Sequence, residues 1–316
     1  MGLGHLARCL VAARALQEML GASVAFVVQG EALQHRDLDA FAHRFVGLDA
    51  DLAGAVTDSL LDHAANVVVF DLAAPHVPPD IGALLNGLRQ RGCKLVSIDG
   101  LVTMRDRLDL LFIPSFRSGG AEAVPGRAVL RFGWDCYLLD TRTVPRDWSP
   151  GHRLLVLTGG SDAAQLGATL PTLLDRELPA GTEVHWVAGP FATVPIVPES
   201  PRLRLITHRA PSGLDHLILN SNYALTVFGV SCFELLRLGI PTVVISPYDT
   251  RDREDLSGLV AADVAAVADS SADAVGRLRS LMADHALARR LSANASRRVN
   301  GSGGRVFACE VLELLT

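Results

Sequence analysis

Short runs of β-branched and aliphatic residues alternate with longer segments of helical period along this chain, and that alternation restricts its fold more than any other feature. The first half predicts strands at residues 24–28, 67–70, 94–98 and 110–113. The second half predicts strands at residues 154–157, 183–187, 203–206, 223–227 and 242–245. Helices are predicted between them, including residues 164–176, 232–238, 272–296 and 303–315. The pattern indicates an α/β fold with parallel, wound sheets.

The periodicity disappears between residues 133 and 150 and resumes with the strand at residues 154–157. A chain of 316 residues is long enough for about two domains. We therefore predict two doubly wound, Rossmann-like domains facing a cleft, at residues 1–140 and 151–302. The helix at residues 303–316 could pack back across that cleft. Ligands of such sheets bind at the carboxyl ends of the strands.

Charge and composition exclude several classes of protein. With 29 Lys and Arg against 34 Asp and Glu, the net charge is −5, and no block of like charges offers a face for nucleic acid. A small anionic ligand remains compatible, because a few backbone amides can hold a phosphate. The five cysteines form no C-x-x-C pair, so we expect buried thiols rather than disulfides or a zinc site. The absence of a long apolar run and of a signal peptide predicts a cytoplasmic protein without a membrane span.

A glycine loop, Gly2-Leu3-Gly4-His5, opens the first predicted helix. In a wound domain such a loop follows a central strand, so we expect either a start assigned too late or a neighbouring strand that substitutes. A helix dipole disfavours a positive charge at its amino end, and a general base must be uncharged, so we predict that His5 is a general base. A capping or packing role for His5 is the alternative. This glycine pattern also fits a dinucleotide-binding motif in which Glu31 accepts a hydrogen bond from the ribose. The missing first strand argues against that interpretation.

Two further glycine turns follow predicted strands in the second half. Gly159-Gly160-Ser161-Asp162 could hold a diphosphate with its amides and the Ser161 hydroxyl, or Ser161 or Asp162 could simply cap the next helix. Gly229-Val230-Ser231 begins another helix, with Glu234 one turn in. Glu234 could accept hydrogen bonds from ribose hydroxyls while Ser231 faces phosphate; the alternative is a capping box formed by these two residues.

Aspartates elsewhere suggest one further contact and no metal. Asp99 ends the strand at residues 94–98 and could hold a sugar hydroxyl, orient His5, or simply occupy a turn. The Asp37-Leu38-Asp39 and Asp49-Ala50-Asp51 pairs do not follow buried strands, so we expect solvated helix faces there, as for the charged residues 249–255. We therefore predict no required metal and no cofactor.

Several motifs, taken together in this order, resemble the UDP-2,4-diacetamido-2,4,6-trideoxy-β-L-altropyranose hydrolase family of pseudaminic acid biosynthesis, which is similar to the GT-B glycosyltransferases. The residues that carry the resemblance are Gly2-x-Gly4-His5-x-x-Arg8-Cys9, Ile98-Asp99-x-Leu101, Gly159-Gly160-Ser161-Asp162, Gly229-x-Ser231-x-x-Glu234-Leu235-Leu236-x-x-Gly239-Ile240-Pro241 and Asn300-Gly301-x-Gly303. The match spans almost the whole chain.

The resemblance implies a hydrolase that cleaves the C1–O bond of a UDP-sugar with inversion, and it places the catalytic base on His5. It implies uridine-diphosphate contacts at Gly160, Ser161, Gly229, Ser231 and Glu234. We predict sugar contacts at Gly4, Arg8, Asp99 and Tyr248. UDP is a good leaving group, so a base and amide dipoles should suffice without a metal.

Three hypotheses follow from these motifs. The first is hydrolysis of a UDP-linked diacetamido-trideoxy sugar in nonulosonic acid biosynthesis, with a UDP-sugar as the partner and the protein as a monomer or weak dimer. The second is a GT-B glycosyltransferase that passes the sugar from UDP to an acceptor. The third is a catalytically inactive UDP-binding relative.

Overall fold

The computed structural model describes residues 4–32, 35–72, 76–199, 201–211, 213–246 and 252–316. The chain divides into two compact units, residues 4–139 with Gly301–Thr316 and residues Asp140–Asn300. Within these ranges, every strand pair of both units is parallel. The predicted α/β class with two Rossmann-like units is thereby confirmed.

The first unit contains six strands and four α-helices in its described part. In chain order they are α1 Gly4–Leu20, β1 Ala25–Gln29, β2 Ala42–Val46, α2 Leu52–Asp62, β3 Val67–Phe70, α3 Ile81–Gln90, β4 Lys94–Ile98, β5 Leu110–Phe112, β6 Val129–Arg131 and α10 Gly303–Leu315. Four of the strands form one sheet, in the order β3-β4-β5-β6, and β1 pairs with β2 in a second, separate sheet. The sequence predicts a single wound sheet here, whereas the described residues form two.

Helix α1 packs against both sheets of the first unit. Leu10 and Ala13 belong to the apolar cluster that β1 contacts, whereas Ala12 and Leu16 pack with residues of β4 and β5. The amphipathic stripe predicted for this helix therefore serves two cores at once. Because α1 begins at Gly4, this packing fixes its first turn, which carries His5, above the sheet.

The C-terminal helix α10 belongs to the first unit, and its helical extent matches the prediction. A Cβ atom on Gly304 would lie 3.2 Å from the Cβ of Ala15, so the glycine allows α10 to approach α1 closely. The ring of Phe307 meets Phe112 of β5 edge to face, with 5.1 Å between centroids. These contacts make α10 part of the core that carries α1.

The described residues of the second unit form one six-stranded sheet in the order β12-β11-β10-β7-β8-β9. Its elements are β7 Arg153–Leu157, α4 Leu166–Glu177, β8 Glu183–Ala188, β9 Arg204–Arg209, α5 Asp215–Leu219, β10 Tyr223–Val227, α6 Val230–Arg237, β11 Thr242–Ile245, α7 Arg253–Ala261, β12 Ala266–Ala268, α8 Ser271–Ala283 and α9 His285–Arg298. Helices α4, α8 and α9 cover one face, and α5 and α6 cover the other. Burial on both faces explains why the central strands are almost continuously apolar.

Several local predictions were wrong for identifiable reasons. The predicted helix at residues 272–296 is two helices, because Asp284 breaks it and caps α9 by accepting hydrogen bonds from the amides of Ala286 and Leu287. Asp51 is not on a helix face: it is the N-cap of α2 and accepts from the Gly54 amide at 2.9 Å. Asp37 lies in a turn and pairs with Arg14 at 2.7 Å.

The expectation of buried thiols holds for some of the cysteines only. Cys93, Cys136 and Cys232 are buried, Cys9 is partly buried, and Cys309 on α10 is exposed. None of the helices in the described residues combines the length and the apolar character needed to cross a bilayer.

Candidate functional site

In the first unit, two aspartates leave neighbouring parallel strands at the same edge of the sheet. Asp71 directly follows β3, and Asp99 directly follows β4, which pairs with β3. A Cβ atom on Gly100 would lie 2.3 Å from the carbonyl oxygen of Leu72, so only glycine lets these two strand exits approach so closely. This edge is where ligands of parallel sheets bind.

Asp71 is the centre of a hydrogen-bonded group with the first turns of α1. Its Oδ1 lies 2.6 Å from Nδ1 of His5 and 2.6 Å from Nη2 of Arg8, and its Oδ2 accepts from Nε of Arg8 at 2.6 Å. The Cys9 thiol donates to Oδ2 at 3.3 Å. The Asp71 side chain is only 4% exposed, whereas that of His5 is 34% exposed. The imidazole is therefore anchored at Nδ1 and still partly accessible.

The charges of this group stabilise one another. Burial favours the protonated form of Asp71, but hydrogen bonds from Arg8 and His5 and the charge of Arg8 outweigh it, so the pKa of Asp71 lies below its usual value. Burial also disfavours the charged form of Arg8, yet the bonds and charge of Asp71 raise the pKa of Arg8. Burial and the Asp71 charge raise the pKa of the Cys9 thiol, which therefore remains protonated at neutral pH.

Asp99 contacts Arg8 and not His5 in the described structure. Nη1 of Arg8 donates to Oδ2 of Asp99 at 3.0 Å, and the Asp99 side chain is 51% exposed. Its backbone has a φ of 63°, a left-handed conformation that Asp tolerates in turns. Of the roles considered for Asp99, the orientation of His5 is taken instead by Asp71.

Sequence reasoning missed Asp71, although a signal for it exists. Asp71 directly follows the apolar run at residues 67–70, just as Asp99 directly follows the run at residues 94–98. The rule that drew attention to Asp99, an acid at the carboxyl end of a buried strand, applies equally to Asp71. What no pattern reveals is which of the two aspartates reaches His5.

In the second unit, the first glycine turn leaves β7 and stays open. Gly159, Gly160 and Ser161 are exposed. Asp162 is buried and accepts hydrogen bonds from the amides of Leu166 and Gly167 at 2.9 and 2.8 Å, so it caps α4. The capping alternative therefore falls on Asp162, while Gly159, Gly160 and Ser161 remain exposed.

Residues after β8 hold this turn in place. A Cβ atom on Gly189 would lie 2.4 Å from the carbonyl oxygen of Gly160, so the two loops touch backbone to backbone. The amide of Phe191 donates to that same carbonyl oxygen at 3.0 Å. Because its carbonyl is held, the Gly160 turn has a defined conformation although its surface is exposed.

The second glycine turn leaves β10, the strand next to β7. Gly229 is the N-cap of α6, so Ser231 lies inside the first helical turn and the alternative capping box of Ser231 and Glu234 does not form. Burial, with the negative charges of Asp215 and Asp140, raises the pKa of Glu234.

The structure thus assembles the predicted residues into two groups. Gly4, His5, Arg8 and Asp99 lie together in the first unit, with Asp71 added. Gly160, Ser161, Gly229, Ser231 and Glu234 lie at one edge of the sheet of the second unit. Tyr248 and residues 249–251 lie outside the described residues. Within the described residues, no three His, Cys, Asp or Glu side chains form a metal-binding group.

No protein-family description and no curated protein sequence matches this chain. Solved structures do. Phytolacca americana UGT2 with UDP-2fluoro-glucose superposes with a TM-score of 0.67 at 13% identity, over 99% of this chain and 97% of that one. UDP-GlcNAc 2-epimerase of Neisseria meningitidis, bound to UDP-GlcNAc, gives 0.62 at 13% identity over 97% and 96%. The calicheamicin glycosyltransferase CalG4 gives 0.64 at 16% identity over 99% and 96%.

The chain has the GT-B fold. Of its two Rossmann-like units, the first contains His5 with Arg8 and Asp71, and the second contains the two glycine turns. At 13 to 16% identity the likeness establishes the fold, and the roles of individual residues must be argued from their own contacts.

Proposed function

We propose that this GT-B protein hydrolyses a UDP-linked diacetamido-trideoxy sugar to UDP and the free sugar. The observation that carries the proposal is His5, which is anchored at Nδ1 by a buried carboxylate and is partly exposed at the start of α1. Such an imidazole can take a proton on Nε2. Structural neighbours solved with UDP-GlcNAc and UDP-2fluoro-glucose support a UDP-sugar as the substrate class.

In the proposed reaction, the oxygen of a water molecule attacks C1 of the sugar while His5 Nε2 accepts one of its protons. The bond between C1 and the β-phosphate oxygen breaks, and UDP leaves with the electron pair. Attack from the face opposite the leaving group inverts the configuration at C1. The free sugar and UDP are the only products, and the proton held by His5 then returns to solvent.

The second unit binds the UDP moiety in this proposal. The exposed amides of Gly160 and Ser161 and the amino end of α6 at Gly229 stabilise the departing diphosphate. Glu234 accepts hydrogen bonds from the ribose hydroxyls, and Ser231 contacts phosphate. The raised pKa of Glu234 supports this assignment, because burial and neighbouring negative charges disfavour the charged carboxylate and hydroxyl donors from a ligand would stabilise it.

The nature of the sugar rests on the motif resemblance alone. Gly4, Asp99 and Tyr248 remain the proposed sugar contacts. The Asp99 carboxylate is half-exposed and can accept a hydrogen bond from a sugar hydroxyl. We place the reaction in nonulosonic acid biosynthesis on the same grounds.

UDP release from the UDP-diacetamido-trideoxy sugar tests the proposal. We expect the wild-type protein to release UDP and His5→Ala to do so about 10²–10⁴-fold more slowly, the usual contribution of a general base. His43→Ala, an exposed histidine of the same unit, is the matched control and should behave as wild type. No release by the wild type, or equal release by His5→Ala, would refute the hydrolase.

A glycosyltransferase is the second candidate, because one of the structural neighbours, CalG4, is a glycosyltransferase by name. The same residues would then activate an acceptor hydroxyl instead of water. Adding hydroxyl acceptors to the UDP-release assay and examining the products by mass spectrometry separates the two reactions. A glycosylated acceptor formed faster than free sugar would select the transferase, and tight UDP binding without turnover would indicate an inactive relative.

A further inference from the structure

We propose that Asp71 and Arg8 are positioning residues that hold His5 as the Nδ1–H tautomer and leave Nε2 as its basic nitrogen. This inference deepens the proposed function and depends on it for its catalytic meaning. It also gives Arg8 a different task from the sugar contact that its motif suggested.

The first step is the charge state of Asp71. Apart from His5, its two oxygens face three donors: Nη2 of Arg8 at Oδ1, and Nε of Arg8 and the Cys9 thiol at Oδ2. The guanidinium charge lies against both oxygens of a side chain that is only 4% exposed, and it favours the ionised form of Asp71. Asp71 is therefore a carboxylate and can only accept hydrogen bonds.

The second step is the tautomer. Nδ1 of His5 lies 2.6 Å from a carboxylate oxygen, so it must donate and must carry a hydrogen. A neutral imidazole with a hydrogen on Nδ1 has its lone pair on Nε2. Free histidine in water has no such constraint, so the carboxylate determines which nitrogen can act as the base.

The third step is the role of Arg8. It lies three residues after His5 on α1, on the same side of the helix, and its guanidinium donates twice to Asp71 at 2.6 Å. Its Nη2 is 3.2 Å from His5 Nδ1, and since both are donors they share Oδ1 instead of bonding to each other. The fork fixes the plane of the carboxylate and offsets its charge beside the imidazole.

Nuclear magnetic resonance of the ligand-free protein tests the tautomer without any turnover. The ¹⁵N shifts of His5 at a pH where it is neutral should place the hydrogen on Nδ1 in the wild type. Asp71→Asn should lose that preference, because one of the two polar atoms of the amide becomes a donor facing His5 or Arg8. Asp99→Asn is the matched control: it removes the other carboxylate of Arg8, which does not contact His5, and should leave the tautomer unchanged.

Kinetics give the catalytic consequence. Asp71→Asn should lower kcat about 10²–10⁴-fold, as loss of the orienting carboxylate does in serine proteases, with little change in KM. Asp71→Glu should recover part of that loss, because it restores the acceptor charge. Arg8→Lys keeps the charge but loses the fork and should lower kcat with a mixed His5 tautomer.

The outcomes separate this inference from the proposed function. A hydrogen on Nε2 in wild-type His5, or an unchanged tautomer in folded Asp71→Asn, would overturn the positioning role even if UDP is released. If Asp71→Asn fails to fold, the wild-type spectrum alone decides the tautomer. No UDP release together with the expected tautomer would overturn the hydrolase and leave the geometry of His5 as proposed.

Discussion

Asp71 is a buried carboxylate whose charge depends on its partners, and this makes it a source of pH dependence. Its pKa is lowered in the folded protein, so its pairing contributes stability above the ordinary Asp pKa of about 3.9. That contribution is lost as the pH falls from there through the folded pKa. The same bonds that orient His5 therefore resist unfolding at neutral pH.

We expect Asp71→Asn to lower the free energy of unfolding by about 3 kcal/mol at pH 7, because Arg8 loses its buried partner and keeps only the half-exposed Asp99. Between pH 4 and pH 2 the difference between variant and wild type should shrink. Urea denaturation across this range, followed by circular dichroism, measures both quantities. A constant difference at every pH would mean that Asp71 does not titrate with folding.

The effect of pH on stability through Glu234 is opposite to that through Asp71. The pKa of Glu234 is raised by burial and neighbouring negative charges, so its ionised form costs stability. The free energy of unfolding is therefore highest while Glu234 is protonated. It falls as the pH rises from the ordinary Glu pKa of about 4.3 through the higher pKa of the folded protein. A residue kept at such a cost is typical of a binding site.

Glu234→Gln should therefore melt at a higher temperature than wild type at pH 7 and bind UDP more weakly. The two effects come from one change: the amide removes the buried charge, and with it the acceptor proposed for the ribose. Thermal melting and calorimetric titration with UDP check them. Glu199→Gln, on an exposed loop of the same unit, should change neither, and unaltered UDP affinity in Glu234→Gln would argue against the ribose contact.

At the scale of elements, the sequence predicted the strands better than their contacts. Runs such as Val67–Phe70 and Lys94–Ile98 end where predicted, because β-branched residues bounded by turn residues specify a strand locally. The break at Asp284 was missed because the apolar periodicity of α8 and α9 continues through it. Which aspartate meets His5 depends on the side-by-side packing of β3 and β4 under α1, which no local pattern contains.

The two sheets of the first unit give a prediction about exchange. Among the described residues, β1 is paired only with β2 and β3 only with β4, whereas β4 and β5 are paired on both sides. The side chains of β4 and β5 are also nearly all buried, and those of β1 are mostly half-buried. Backbone amides of β1 and β3 should therefore exchange with deuterium faster than those of β4 and β5. Equal protection in all four strands would contradict this.

At the scale of the whole molecule, the GT-B fold survives at 13 to 16% identity because parallel sheets need an apolar pattern and not particular residues. The same tolerance explains why the sequence indicated the α/β class and two wound units clearly. It could not determine the sugar, since sugar recognition depends on a few side chains and one of those predicted, Tyr248, lies outside the described residues.

The proposal assigns UDP binding to the second unit, which predicts that the two functions can be separated by mutation. A Cβ atom at Gly160 would meet nothing within 4 Å beyond its chain neighbours, so Gly160→Val should fold and place its methyl groups where the diphosphate is proposed to lie. We expect at least a tenfold loss of UDP affinity by calorimetry. Gly276→Val, at an equally open site on α8, is the control, and His5→Ala should bind UDP as wild type does.

Hydrolysis in H₂¹⁸O, followed by mass spectrometry of the released UDP, tests most directly whether His5 directs water to the anomeric carbon. We predict that wild-type protein releases UDP without the heavy isotope, because the C1–O bond breaks, and that His5→Ala releases almost none. UDP that carries ¹⁸O would show attack at phosphorus, and equal release by His5→Ala would show that the imidazole is not the base; either result would contradict the account.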